Sequence, residues 1–156
     1  RGCMMAKLVT GSEALAKRLA AIPDEVLKAL RPALTKSVAD IAGDARALAE
    51  ASRRSGALVE SIAETAPGET TPAFASDGGR RTAGPNEAFV TAGAPDARHG
   101  HLVEFGTDER FHEDGSPTGT MPAAPFLLPA WRLNRARVER RIKRAISAGA
   151  RKAVAE

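Results

Sequence analysis

Apolar side chains recur every three or four positions from Leu27 through Leu30, Leu34, Val38, Ile41 and Ala45 to Leu48. That spacing draws one stripe along about six helical turns and predicts a long amphipathic helix. Gly11-Ser12-Glu13 supplies an earlier start, with Ser12 as N-cap of a short helix through Leu15 and Leu19 to Ile22. Pro23 and Asp24 suit the first turn of the longer helix, where a missing N–H is harmless and an acid is favoured. Pro32 falls inside the stripe and costs a helix interior roughly 3 kcal/mol, so a kink or break is expected there. Past Ala51, the run Ser52-Arg-Arg-Ser-Gly56 ends the helix with a basic last turn and a Gly able to go left-handed.

The second half changes period. Leu58 and Ile62 open a new element, and the Gly-, Thr- and Pro-rich stretch from Pro67 to Pro85 reads as a hairpin loop around Asp77-Gly78-Gly79. Glu87–Gly93 reads as a strand stopped by Ala94-Pro95. Residues 108–120, with Asp108, Glu109, Glu113, Asp114 and two Gly, read as a mobile acidic loop. Pro129 fits N1 of a last helix whose apolar edge is Leu128, Trp131, Val138, Ile142 and Ala145 or Ile146. The opposite face carries Arg132, Arg135, Arg137, Arg140, Arg141, Lys143 and Arg144.

Composition sharpens this picture by what it lacks. The 156 residues suffice for one cored domain, and no apolar run approaches the ~18 residues of a membrane span. The opening Arg1-Gly-Cys-Met-Met is expected to be a loose end without a secretory pattern. Cys3 is the single cysteine, which leaves no intrachain disulfide and no four-thiolate zinc site. His99, His101 and His112 could in principle join Glu104, Glu109, Glu113 or Asp114 around a metal, with His-x-His on one face of a strand, but no further ligand motif supports them. No Ser lies in a Gly-x-Ser-x-Gly elbow and no Gly loop leads into Lys-Ser/Thr. Glu104 could be a buried base beside Phe105, yet it has no catalytic partner in the pattern. The expectation is a non-enzyme without cofactor.

Charge is distributed unevenly. From Trp131 to Glu156 there are nine Lys or Arg against two Glu, although the whole chain carries only +4. Such a helix could approach nucleic acid, lie on an anionic membrane, or meet another subunit. An acidic stretch in the same small domain favours a subunit contact: in a head-to-tail ring, Asp108, Glu109, Glu113 and Asp114 of one copy could meet Arg135, Arg137, Arg140, Arg141 and Arg144 of the next. Two stretches, His101–Thr107 and Met121–Trp131, concentrate two of the five Phe, the only Trp and three of the ten Pro. They fix backbone shape and offer no nucleophile, as a contact surface would.

Four motifs occur in order: Gly11 to Leu15; Ser55-Gly56-Ala57-Leu58-Val59-Glu60-Ser61-Ile62; the His-x-x-Glu-Phe-Gly-Thr run His101–Thr107; and the Pro-Phe-x-x-Pro-Ala-aromatic run Pro125–Trp131. Over about residues 8 to 150 the chain resembles the head–tail joining and tail-completion proteins of long-tailed bacteriophages, prophages and phage-derived particles. The resemblance implies an α+β fold: a long N-terminal helix packed on a small antiparallel sheet, then a basic C-terminal helix. It implies one domain over 8–150, between a loose end 1–7 and a tail 151–156. It implies a ring, commonly sixfold, at the virion neck, assembled in the host cytoplasm. Its partners would be further copies, portal-side connector proteins, tail-tube or terminator proteins, and DNA passing through the bore, with no membrane. Arg54, Ser55 and Gly56, with Leu58 and Ile62 following, would shape the bend after the long helix. Glu104, Phe105 and Gly106 would form a core turn, and Pro125, Phe126, Pro129 and Trp131 would anchor the last helix. The rivals are a tail-tube terminator ring and, in another class, a free DNA-binding protein using the C-terminal Arg helix.

Overall fold

The apolar stripe belongs to a single helix, α1, which runs unbroken from Ser12 to Ala49. The structure, a computed structural model, describes residues 12–73 and 79–155. The separate helix ending at Ile22 and the break at Pro32 are both replaced by this one element, with Pro23 and Pro32 inside it. Pro32 is exposed between the buried Leu30 and Ala33. A proline removes one hydrogen bond but keeps a helical φ, and packing on both sides of it outweighs that local cost. The N-terminal end 1–7, Gly11 and Cys3 lie outside the described residues, as do Asp77 and Gly78 of the anticipated turn.

A short 3₁₀ turn over Glu50–Ser52 closes α1, and α2 (Ala57–Glu60) follows a bend at Gly56. Gly56 has φ 91°, a left-handed conformation that costs a residue with a Cβ. Strand β1 (Ile62–Thr65) pairs antiparallel with β2 (Phe89–Ala92), Ile62 opposite Ala92 and Thr65 opposite Phe89. Among the described residues of the long connection between them, Thr70 and Thr82 form an antiparallel bridge. The strand expected over 87–93 is thus β2, and the 67–85 stretch is its hairpin connection.

Helix α3 (Gly100–Phe105) replaces the strand assumed for the histidines: His99 precedes it and His101 sits in its first turn. The presumed acidic loop is an antiparallel hairpin, β3 (Thr107–Phe111) with β4 (Pro117–Met121). Helix α4 (Leu127–Ala155) then continues through the segment expected as a tail. The architecture is α+β, with a long helix against small antiparallel sheets and a long terminal helix.

Helices α1 and α4 pack antiparallel. Asn134 donates to Asp44 at 2.6 Å, Arg141 to Ser37 and Asp40 at 2.9 and 2.7 Å, and Lys152 meets Glu25 at 2.8 Å. The contact ridge of α4 is Ala130, Asn134, Val138, Gly149 and Ala153, all buried, and Ala130 and Val138 cluster with Ala42, Ala45 and Ala49 of α1. Small residues bring the backbones close. A Cβ on Gly149 would lie 2.7 Å from Glu25 O and 2.7 Å from Val26 Cα. The apolar edge expected on α4 is therefore rotated. Val138 is buried and Ile142 packs at the core margin, whereas Leu128, Trp131 and Ile146 are exposed. The remaining core gathers Ile41, Leu58, Ile62, Val103 and Phe126 where α1 meets β1, α3 and the start of α4.

Candidate assembly surface

The two runs with the most specific spacing meet at the N-terminus of α4. An α-helix begins with four N–H groups lacking intrahelical acceptors. Here Phe126 and Leu127 N–H donate to Oε2 of Glu104 at 2.8 and 2.9 Å, and Leu128 N–H donates to Oε1 at 2.9 Å. The fourth position is Pro129, which has no N–H, and Ala130 N–H already bonds to Phe126 O at 3.3 Å. The free donors are all accounted for. A buried carboxylate facing the positive end of a helix is favoured electrostatically and holds α3 to α4. Both carboxylate oxygens of Glu104 are thus engaged by backbone donors of the α4 start. Pro129 takes the third position of α4 instead of the first, because the helix starts two residues earlier, at Leu127.

Gly106 completes this junction. It has φ 74°, and a Cβ there would stand 2.8 Å from Met121 O and 2.9 Å from Ala123 N. Ala124 N–H donates to Val103 O at 2.8 Å, and Met121 N–H to Thr107 Oγ1 at 2.9 Å. Glu104 and Phe105 end α3, and the chain turns at Gly106, its C-cap. Phe105 is 71% exposed, whereas Phe126 is 1% exposed, so Phe126 alone of the two anchors the core. Trp131 also faces outward, at 41% exposure, because the small-residue ridge of α4 takes the inner face.

Beside this junction lies a groove of 560 Å³ between the end of α1, α2, α3 and the exit of β4. Its floor is apolar, from Leu58, Val59, Leu102 and Met121, and its rim carries Arg53, Arg54 and His99, with no acidic residue among the described residues lining it. Arg53 is paired with Glu50 at 3.0 Å, while Arg54 is exposed beside the groove and beside the base of the hairpin. Ser55 and Gly56, expected only to shape the bend, also form part of the wall. The groove escapes sequence reading because its lining comes from three separated segments.

The hairpin projects from this end. Every residue from Phe111 to Thr120 is exposed, Phe111 at 65%. Its turn is nonetheless formed: His112 N–H donates to Ser116 O at 2.8 Å, and Asp114 Oδ1 accepts from Ser116 N–H and Oγ–H at 2.9 and 2.6 Å. Those two bonds hold the Asp114 carboxyl below its ordinary range. Asp108, Glu109, Glu113 and Asp114 all lie on this exposed arm.

The arginines anticipated as subunit contacts divide. Arg141 points inward to Ser37 and Asp40, its side chain 21% exposed, and draws the Asp40 carboxyl below its usual range. Arg135 pairs with Glu139 at 2.9 Å on the surface. Arg137, Arg140 and Arg144 are exposed, Arg144 resting on the carbonyl of Arg140. Among the described residues no three His, Cys, Asp or Glu gather as a metal site, and no helix is long and apolar enough to cross a membrane.

The capped helical scaffold thus presents a charged arm, a basic-rimmed groove and outward aromatics. The HK97-gp10_like family, described as "Bacteriophage HK97-gp10, putative tail-component", matches residues 13–106, and the chain belongs to this family. No curated protein and no solved structure gives a significant match. The matched stretch runs from α1 to Gly106, so the bend, the groove floor apart from Met121, and the capping glutamate lie inside it. The hairpin and α4 lie beyond.

Proposed function

We propose that this tail component works at the head–tail interface of the virion, as a ring that completes the tail and joins it to the portal complex, with DNA passing through the bore. The observation that carries this reading is the separation of charge onto two exposed elements of one small subunit. The acidic β3–β4 arm projects from one end, while α4 turns Arg137, Arg140, Lys143 and Arg144 to solvent along its length. A subunit with an acidic projection and basic surfaces suits heterologous, head-to-tail association, which closes as a ring when the rotation allows. An Arg-lined helix facing a bore would hold DNA through phosphates alone, loosely and without sequence preference.

Electron microscopy and native mass spectrometry of the full chain test this directly. A closed multimer with weak, salt-sensitive DNA affinity is the expected result. A monomer or dimer that selects a DNA sequence would replace this reading with that of a free DNA-binding protein acting through the α4 arginines.

A further inference from the structure

The β3–β4 hairpin is an arm without a bed. A two-stranded hairpin is marginal alone in water and needs a third strand or a packed face for stability. This one has a nearly continuous exposed run from Phe111 to Thr120, with Phe111 uncovered near its tip. Its sequence carries four carboxylates against one arginine.

The groove beside α2 has the complementary character. It offers an apolar floor of Leu58, Val59 and Leu102 under a rim of Arg53, Arg54 and His99, with no acid among the described residues of its lining. At 560 Å³ it is large enough for an aromatic side chain with its flanking residues. The arm cannot fill its own groove: β4 leaves the groove wall at Met121, and five-residue strands carry the tip roughly 17 Å from that point. One arm and one groove per subunit, at the same end but with the arm's tip beyond its own groove, make a contact that repeats from copy to copy.

We propose that the β3–β4 hairpin of one copy docks in the α1–α2–α3 groove of a second copy, burying Phe111 on Leu58, Val59 and Leu102 and setting its carboxylates against Arg54. The inference rests on the ring reading above and makes it specific. It moves the countercharge for the arm from the α4 arginines to the groove rim. Arg137, Arg140 and Arg144 then remain uncovered by the arm.

The test is disulfide trapping in the full chain with Cys3→Ser. Phe111→Cys with Val59→Cys should give a ladder of covalent multimers on mild oxidation, and Phe111→Cys with Arg140→Cys should not. Val59 is half-buried at the groove and Phe111 exposed, so neither change empties the core. In parallel, Arg54→Glu should weaken self-association about tenfold, and Glu109→Lys with Glu113→Lys on the same chain should restore it. A ladder only with the Arg140 pair would show that the arm meets α4 and would overturn this docking while leaving the ring. Rings in micrographs with neither ladder would do the same. A chain that stays monomeric in every variant, including the unmodified one, would remove both the docking and the ring.

Discussion

The α1–α4 pair and the β3–β4 arm are built on opposite principles. Along the helix pair, small residues let two backbones nearly touch at Gly149, and polar side chains are matched across the seam, Asn134 to Asp44 and Arg141 to Ser37 and Asp40. Along the arm, an aromatic side chain and four carboxylates face solvent around a well-formed turn. The contrast teaches that one region matches and buries its side chains, while the other leaves an aromatic side chain and its carboxylates to solvent, as the proposed docking requires. Glu104 and Gly106 join the two, fixing where the arm departs from the scaffold.

Two phenylalanines break the comparison most cleanly. Phe126→Ala should destabilise the fold by about 4 kcal/mol, since it empties a fully buried site. Phe111→Ala should stay within about 0.5 kcal/mol in the isolated subunit. Urea denaturation of both variants checks the pair, and equal losses would dissolve the division. Next comes the junction. Glu104→Ala leaves three backbone donors unmet in a buried helix start, and about 3 kcal/mol of stability should go with them. A fall below 1 kcal/mol would mean that α4 is capped some other way.

Gly149→Ala probes the seam itself. Its methyl would press on the backbone of Glu25 and Val26, and a loss of about 2 kcal/mol is expected in the same assay. An increase in melting temperature, as for an ordinary helical Gly→Ala, would show that the helices stand further apart.

The smallest effect is acid dependence. Hydrogen bonds from Lys152 and Lys28 hold the Glu25 carboxyl at about 2, against an ordinary 4.5. A depressed folded value means the contribution is whole above about pH 4.5 and disappears as pH falls toward about 2. Asp40, held down chiefly by Arg141, acts in the same direction. Lys152→Met should therefore flatten the decline of stability between pH 5 and 2; an unchanged slope would assign the acid sensitivity elsewhere.

Periodicity made α1 legible, because Leu30, Val38, Ile41 and Ala45 fall on the buried side at helical spacing. It overstated Pro32, whose local cost is absorbed by the long packed seam. It misplaced part of the inner face of α4 because, apart from Val138, the buried residues of that face are Ala, Gly and one Asn, while Trp131 and Leu133 look outward. Residue volume is a poor guide where backbones pack closely. The arm read as a loop because all its positions from Phe111 to Thr120 are exposed, so no inside–outside alternation marks the strands. The family motifs assigned Glu104 and Gly106 to a core turn and Phe126 to the anchor of the last helix, as two separate runs. Their joint action as cap, close approach and anchor spans more than twenty residues of chain, and only the folded geometry reveals it.

Native mass spectrometry of the full chain beside its Glu109→Lys/Glu113→Lys variant bears most directly on the claim that scaffold and assembly surface are separate. The account predicts one closed multimer of fixed copy number for the unmodified chain. It predicts a shift toward monomer in the variant, with an unchanged melting temperature of the subunit. A multimer that survives the charge reversal, or a variant that loses its fold together with its partners, would contradict it.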